Sequence, residues 1–527
     1  MAETVQQLLR ERAEGQGADR VGLKYGDRTW TWREHLAEAA AEASVLIAAH
    51  DPARPLHVGT LLGNTPDMLR AMAAAGLGGY VLCGINTTRR GDGLLADVRR
   101  ADCQLLLTDE EHLPLLDGLD LAGVTVVDVS SPDWERRIKD AGPLTPHREV
   151  GAMDTLMMIF TSGTSGEPKA VQVAHLMVLF SGLNLVERFE VTADDVCYIS
   201  MPLFHSNAVV AGWAVALGSG AAMVPARFSA SRFLEDVRHY GATYMNYVGK
   251  PLAYILATPE RPDDADNPLR VAFGNEASDR DIEEFARRFG SHVMDGFGST
   301  ELAIIITRAP GTPRGSIGQG VGAVAIYDPE TLTECAVAEF SPEGALLNAE
   351  QAIGELVNTE GAGYFQGYYN DQSANDERMR HGMYWSGDLA YRDADGWIYL
   401  AGRTADWMRV DGENLAAAPV ERILQRLEAV ALVAVYAVPD PQVGDQVMAA
   451  IVLQDDASLE PEELTAFLAD QADLPTKGWP RYVRIAPSLP STATNKVLKR
   501  ELIKQGPTAG DGVLWVREER GTTYVVA

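Results

Sequence analysis

The chain has 527 residues, 46% of them hydrophobic and 23% charged, with a formal net charge of -29. That length exceeds what one hydrophobic core organises, so two or more domains are expected in an ordinary soluble globular protein. The acidic balance argues against a nucleic-acid surface and against loose docking on anionic lipid, although a local basic patch would survive the average.

The start, MAETVQQLLRERAEGQ, carries charges throughout and has no apolar signal core. TWRE (Thr31 to Glu34) has the spacing of a capping box ahead of an alanine-rich helix. HVGTLLGN predicts a short strand. TPDMLRAMAAAG predicts a helix with Thr65 as N-cap and Pro66 at the first helical position, and GGYVLCGIN the next strand. A strand, helix and strand in that order imply parallel pairing. CQLLLTD and VTVVDV are expected to be buried strands, and TPERPDDADNP (Thr258 to Pro268) a solvent loop. No run of about 18 apolar residues offers an integral membrane segment. Cys83, Cys103, Cys197 and Cys335 are scattered and form no CxxC pair, so neither a zinc site nor a disulfide framework is suggested. A reducing cytoplasm fits. Near GRTADWMRVDGEN (Gly402 to Asn414) the pattern changes. APVERILQRLEAV then predicts a helix, ALVAVYAVPD a strand and PEELTAFLADQA a second helix. This places a boundary at Arg403 and divides the chain into 1–402 and 403–527.

TSGTSGEPK, from Thr161 to Lys169, is a loop rich in glycine and hydroxyls that ends in a cation. Against the nucleoside-triphosphatase pattern GxxxxGK[ST], Gly163 and Lys169 keep the right separation. Pro168 stands at the second glycine, however, and Ala170 at the magnesium-binding hydroxyl. Proline has no N–H to offer a phosphate. The loop still suits a polyphosphate, because backbone amides can approach closely and Thr161, Ser162, Thr164 and Ser165 add donors. On composition alone a flexible linker competes with that reading.

Three further segments decide between them. GFGSTE (Gly296 to Glu301), YWSGDLAYRDADGWIYLAGR (Tyr384 to Arg403) and STATNKVLKREL (Ser491 to Leu502) follow the loop. Together, in order and spacing, the four resemble the phosphate loop, aromatic-Gly-x-Thr-Glu motif, ribose motif and C-terminal lysine motif of the adenylate-forming superfamily. RTADWMRVDGENLAAAPVE, GYFQGYYND and VLWVREERGTTYVV are similar to its very-long-chain acyl-CoA synthetase and fatty-acid transport protein branch, which includes bacterial fatty-acid and steroid side-chain acyl-CoA ligases. The resemblance implies an α/β fold. A large N-terminal adenylate-forming domain would carry mixed and parallel sheets with helices, and a small mobile α+β C-terminal domain would carry the lysine. It also implies an AMP-forming acid–thiol ligase that uses ATP, magnesium and CoA on a hydrophobic carboxylic acid. Such an enzyme would be cytoplasmic or peripheral to a membrane, with a homodimer left open.

The residue roles follow from the same resemblance. Thr161, Ser162, Gly163, Thr164, Gly166 and Lys169 would hold the β- and γ-phosphates. Glu301 would hold magnesium, a hard cation that prefers a carboxylate, and Thr300 would donate to the α-phosphate. Phe297 beside Gly298 would pack on adenine; the family usually places tyrosine there, so a phenolic hydrogen bond is lost. Gly274, Asn275 and Glu276, in GNEAS, occupy the place of the adenine-side loop. Asp388 would accept from both ribose hydroxyls and Arg403 would fix ribose or phosphate. His205, behind Phe204, would face the acyl carboxylate. NAVVAGWAVALGSG would either wall an acyl tunnel or form an ordinary buried helix. Lys496 would stabilise charge developing on the α-phosphate. The hinge falls at Ala405 or Asp406, and Gly412 and Glu413 would line the path of the CoA thiol. Alone, each residue reads more plainly: a solvated glutamate, a turn aspartate, a core histidine, and one lysine of a basic helix with Lys499, Arg500 and Lys504. Three rivals remain: an amino-acid adenylating enzyme, disfavoured because FHSNAV offers no acid for an amine; an acyl-AMP ligase loading a carrier protein; and a lipid-binding or uptake protein with vestigial catalysis.

Overall fold

A computed structural model describes residues 2–161, 168–309, 311–342, 344, 346–403, 407–410, 413–440, 444–474, 476–492, 497–518 and 521–527. The chain forms two compact units, one of Met1–Asn275, Ile282–Ala303 and Tyr364–Glu377, the other of Glu276–Asp281, Ile304–Gly363 and Arg378–Ala527. Among the described residues no helix is long and apolar enough to cross a membrane.

The first unit is built on two largely parallel sheets. One runs Thr125–Asp128, Leu105–Thr108, His57–Leu61, Val81–Gly84, Thr155–Thr161, Lys169–Ala174 across its width. Its seed is the expected crossover: Thr65 Oγ1 accepts from Met68 N, Pro66 opens helix Pro66–Gly78, and His57 lies parallel to Val81. Leu61, Val81, Cys83, Leu106 and Met158 close its core. CQLLLTD is buried from Cys103 to Thr108, as expected for an inner strand. VTVVDV is not: Thr125 is exposed and of the four strand residues only Val127 is buried, because the strand is the sheet edge. The second sheet runs His292–Asp295, Val271–Asn275, Tyr244–Val248, Val196–Ile199, Ala222–Pro225, Val21–Tyr25, Arg28–Thr31. Its antiparallel end leads into helix Trp32–Ala49 through the Thr31–Glu34 capping box. The loop from Thr258 to Pro268 is mostly exposed, but Asp264 is buried at 2.6 Å from Arg288, which also donates to the carbonyls of Leu256, Thr258 and Pro259. A buried ion pair therefore anchors a segment whose Pro and Asp content reads as free solvent loop.

In the second unit the sheets are mainly antiparallel. Ile306–Thr307, Gly318–Gly320, Trp397–Arg403, Met383–Arg392, Gly354–Asn358 and Val324–Tyr327 form one. Glu413–Ala416, Trp407–Val410, Gly444–Leu453, Tyr482–Ile485, Val513–Arg517 and Tyr524–Val526 form another, with Val430–Asp440 added on Gly444–Leu453. The segment after Arg403 thus changes sheet. It also has its own core, in which Met408, Val420, Leu424, Val435, Ile451, Leu464, Trp479 and Trp515 pack together. The two predicted helices of this segment occupy Ala417–Leu424 and Pro461–Ala469.

Candidate active site

In the first unit, strands Thr155–Thr161 and Lys169–Ala174 form an antiparallel hairpin in which Thr161 pairs with Lys169. The ends of the glycine-rich loop are therefore adjacent; Ser162, Gly163, Thr164 and Gly166 lie outside the described residues. Lys169 is only 4% exposed. Its Nζ stands 3.3 Å from Glu377 Oε2 and 5.2 Å from the centre of the Tyr368 ring. The Tyr368 hydroxyl donates to Glu301 Oε1 at 2.8 Å. Lys169, Tyr368 and Glu301 are thus brought together by the Tyr364–Glu377 segment, which docks where Gln172 N donates to Gly367 O. With Oε1 accepting from the tyrosine, Oε2 is the Glu301 oxygen that could hold a cation. That suits magnesium, which uses one or two carboxylates and takes its other ligands from water and substrate phosphate.

Two further motifs sit at the carboxyl ends of neighbouring parallel strands, where open α/β sheets bind ligands. Gly274 pairs with Asp295, and Gly296 N donates to Gly274 O at 2.8 Å. Gly274 is glycine for a steric reason: a Cβ would come within 2.3 Å of Tyr247 O. Asn275 Nδ2 donates to Gly296 O at 2.6 Å, and Glu276 follows with φ at +66°. Phe297 is half-buried and Gly298 exposed beyond the strand end. Thr300 Oγ1 donates to Ser206 Oγ at 2.9 Å. Ser206 opens the helical stretch directly after His205, itself half-buried behind the buried Phe204. The approach to His205 is fixed by Asn64, whose amide donates to Ile199, Met201 and Ala226 carbonyls and accepts from Leu203 N. NAVVAGWAVALGSG is a buried helix with a π turn at Val209–Trp213, a wider turn that recurs at functional sites.

In the second unit, Asp388 and Arg403 face each other across paired strands, with Arg403 Nε 3.1 Å from Asp388 Oδ1. The turn before Asp388 is built for it. Gly387 has φ at +75°, a left-handed value that only glycine adopts without strain. Its N–H donates to Glu355 Oε1 at 2.7 Å, and Asp388 N donates to Ser386 Oγ at 3.0 Å. Glu355 is 4% exposed. Burial raises its carboxyl above the usual range, against the opposing pull of the Gly387 N–H and Arg380. Arg380 Nη2 reaches Glu355 Oε2 at 3.2 Å. Lys496, Ala405, Asp406 and Gly412 lie outside the described residues, as does the side chain of Glu413. Ser491 bridges to Val497 and so brackets the lysine segment. Lys499, part of the supposed exposed basic helix, instead pairs with Glu421 at 2.9 Å.

Sequence reasoning passed over Tyr368, Glu377, Glu355, Ser206 and Asn207. Tyr368 falls in GYFQGYYND, one of the strings that carry the resemblance, whereas Glu355, second residue of the strand Gly354–Asn358, falls in none. Their partners lie 67 and 32 residues away in the chain, a distance that no local pattern spans.

A family profile described as AMP-binding enzyme matches residues 9–369, and one described as AMP-binding enzyme C-terminal domain matches residues 419–496. The chain is 51% identical to the medium/long-chain-fatty-acid–CoA ligase FadD17 of Mycobacterium marinum, over 98% of this chain and 99% of that one. It is 44% identical to the steroid-22-oyl-CoA synthetase of Rhodococcus jostii, over 97% of this chain and 93% of that one. Among solved structures, ATP-bound MatB from Rhodopseudomonas palustris shares the fold with a TM-score of 0.83 at 21% identity, over 95% of this chain and 99% of that one. A profile spanning most of the chain and two near-full-length relatives decide the matter: the chain belongs to the AMP-binding enzyme family.

Proposed function

We propose that the chain is an ATP-dependent acyl-CoA ligase for a long-chain or otherwise bulky hydrophobic carboxylic acid. The acid's carboxylate attacks the α-phosphate of ATP, giving acyl-AMP and releasing pyrophosphate. The CoA thiol then attacks the acyl carbon and AMP leaves. The observation that carries this reading is the 51% identity, over essentially the whole chain, to a fatty-acid–CoA ligase. The 44% identity to a steroid-22-oyl-CoA synthetase favours a steroid side-chain acid as the second acyl class.

Neither half-reaction needs a nucleophile from the protein; positioning and charge stabilisation suffice. Thr161, Ser162, Gly163, Thr164, Gly166 and Lys169 hold the outer phosphates, and Lys169 leaves Glu377 to do so. Glu301 holds magnesium, oriented by Tyr368. Gly274, Asn275, Glu276, Phe297 and Gly298 border adenine. Asp388 takes the ribose hydroxyls with Arg403 beside it, His205 lies at the acid carboxylate, and Lys496 meets the α-phosphate. After the 403–527 segment turns about Ala405 or Asp406, Gly412 and Glu413 line the thiol path.

Purified protein given ATP, magnesium, CoA and a panel of fatty and steroid acids should form AMP, pyrophosphate and the acyl thioester together. Acyl-AMP that persists with CoA present would move the reading to carrier-protein loading. An absence of nucleotide turnover with every acid would overturn it.

A further inference from the structure

Two consecutive residues after His205 reach the Gly296–Glu301 motif from the start of one helix. Ser206 Oγ receives the Thr300 hydroxyl at 2.9 Å. Asn207 acts through a chain of amides. Its Nδ2 donates to Tyr247 O at 3.0 Å and to Asn275 Oδ1 at 3.1 Å. Asn275 Nδ2 passes the contact to Gly296 O at 2.6 Å, and Asn246 Nδ2 donates to Asn207 Oδ1 at 2.7 Å.

The polarity of this chain is forced. Gly296 O and Tyr247 O can only accept, so the amide nitrogens of Asn275 and Asn207 must face them. Asn275 Oδ1 must then accept from Asn207, and Asn207 Oδ1 from Asn246. The chain ends at Asn246 Oδ1, fully buried and without a donor among the described residues. That atom packs against Gly212 of the π turn, where a Cβ would come within 3.0 Å of it. A buried polar network with an unmatched end is costly, and a simpler apolar packing would avoid the cost. What the network achieves is a two-point clasp. The motif is held at Gly296 O and at Thr300 Oγ1, and both holds originate in Ser206 and Asn207, on the helix that continues into the buried apolar stretch Ala214–Ser219.

We propose that Ser206 and Asn207 are positioning residues for adenylation, clasping the Thr300 motif to the helix that follows them; when ATP binds, the Ser206 hydroxyl turns to donate to Thr300 Oγ1, which frees the single Thr300 proton for the α-phosphate. The proposal rests on the acyl-CoA ligase reading and assigns the clasp to the first half-reaction.

Asn207→Asp tests it. The new carboxylate still accepts from Asn246 but confronts two acceptors, Tyr247 O and Asn275 Oδ1. Ionised it repels both; protonated it restores one donation. His205 precedes it, Tyr244 and Tyr247 lie on the neighbouring strand, and Asp295 meets the Tyr247 hydroxyl at 3.1 Å. These groups, with Glu276 and Glu301 in the adjoining motifs, are common to both proteins, so the ratio of variant to wild type removes their titration. With a fatty acid that the wild type uses, pyrophosphate release by the variant should be about tenfold slower at pH about 8, with the gap closing to about twofold near pH 6. Thioester formation from supplied acyl-AMP and CoA should stay within about twofold of wild type. Parallel pH profiles, or equal loss in both half-reactions, would overturn the clasp, since a merely structural residue gives those results. Ser206→Ala disturbs packing less and decides the matter if the first variant fails to fold. Its kcat for pyrophosphate release should fall about fivefold with the KM for ATP little changed, and an unchanged kcat overturns the proposal. A wild type inactive with every acid would overturn the ligase reading and the clasp with it, whereas an active wild type with unaltered variants overturns the clasp alone.

Discussion

Replacing Glu355 separates the geometry of the Gly387 turn from its charge. Glu355 Oε1 accepts from Gly387 N at 2.7 Å and Oε2 lies 3.2 Å from Arg380 Nη2, with the glutamate 5% and the arginine 38% exposed at their side chains. Glu355→Ala leaves the Gly387 N–H without its acceptor and opens a small void. A hydrogen bond to a charged group is worth about 1.5–3 kcal/mol, while the Arg380 pair, screened at its exposed end, adds only about 0–1 kcal/mol. The expected loss is about 2–3 kcal/mol in urea unfolding. The Gly387 turn should also loosen enough to raise the KM for ATP about tenfold, because Asp388 follows it directly. Glu355→Gln keeps an acceptor for Gly387 and removes a carboxylate that burial already penalises, so it should stay within about 1 kcal/mol of wild type. The sign can be checked by pH. A carboxyl raised in the fold favours stability below its unfolded pKa and loses that contribution as pH rises through the folded value. That part of the profile should vanish in Glu355→Gln. If the glutamine variant is as unstable and as weak for ATP as the alanine variant, the charge holds the turn and the hydrogen bond to Gly387 does not.

Two further outcomes follow from the same kind of contact. Tyr368→Phe removes the hydroxyl on Glu301 but keeps the ring beneath Lys169. It should lower kcat about five- to tenfold and raise the magnesium needed for half-maximal rate, with stability changed by about 1 kcal/mol; an unaltered magnesium titration would remove Tyr368 from the site. His35 is buried, its Nε2 has no partner among the described residues, and burial pushes its pKa down to about 4. Neutral in the fold, it contributes stability above its unfolded pKa that disappears as pH falls through about 4. The shift from 6.5 to about 4 corresponds to about 3 kcal/mol. His35→Gln should therefore be less acid-sensitive than wild type by that order when unfolding is followed between neutral and acid pH, and identical pH slopes would refute it.

What the sequence made legible was local or carried by whole motifs. Thr65 with Pro66, and Thr31 with Glu34, announced helix starts because cap chemistry spans three residues. Asp388 and Arg403 were readable as members of one motif string, but their ion pair was not, because only the antiparallel pairing of their strands sets them opposite each other. The exposure of Thr125 was hidden, because sheet order, and hence which strand is an edge, depends on pairings among strands far apart in the chain. Asp264 looked like one more solvent aspartate because Arg288, its partner, comes 24 residues later. The asparagine chain was invisible for the same reason: Asn207, Asn246 and Asn275 have no common spacing, and only two adjacent strands and the helix start at Ser206 bring their amides into line.

The π turn at Val209–Trp213 limits how this helix can evolve. An α-helix advances about 100° per residue, so the extra residue in the wide turn sets the rotation of everything after it. Downstream, Ala214 lies against Gly182, where a Cβ would approach to 2.6 Å, and Gly218 against Leu183. Upstream, Ser206 and Asn207 are fixed to Thr300 and Asn275. With both flanks anchored, losing one residue would turn the small-residue face away from its neighbour, and gaining one would do the same in the other sense. Descendants of this sequence can therefore exchange side chains along the stretch, but insertions and deletions should be purged from it.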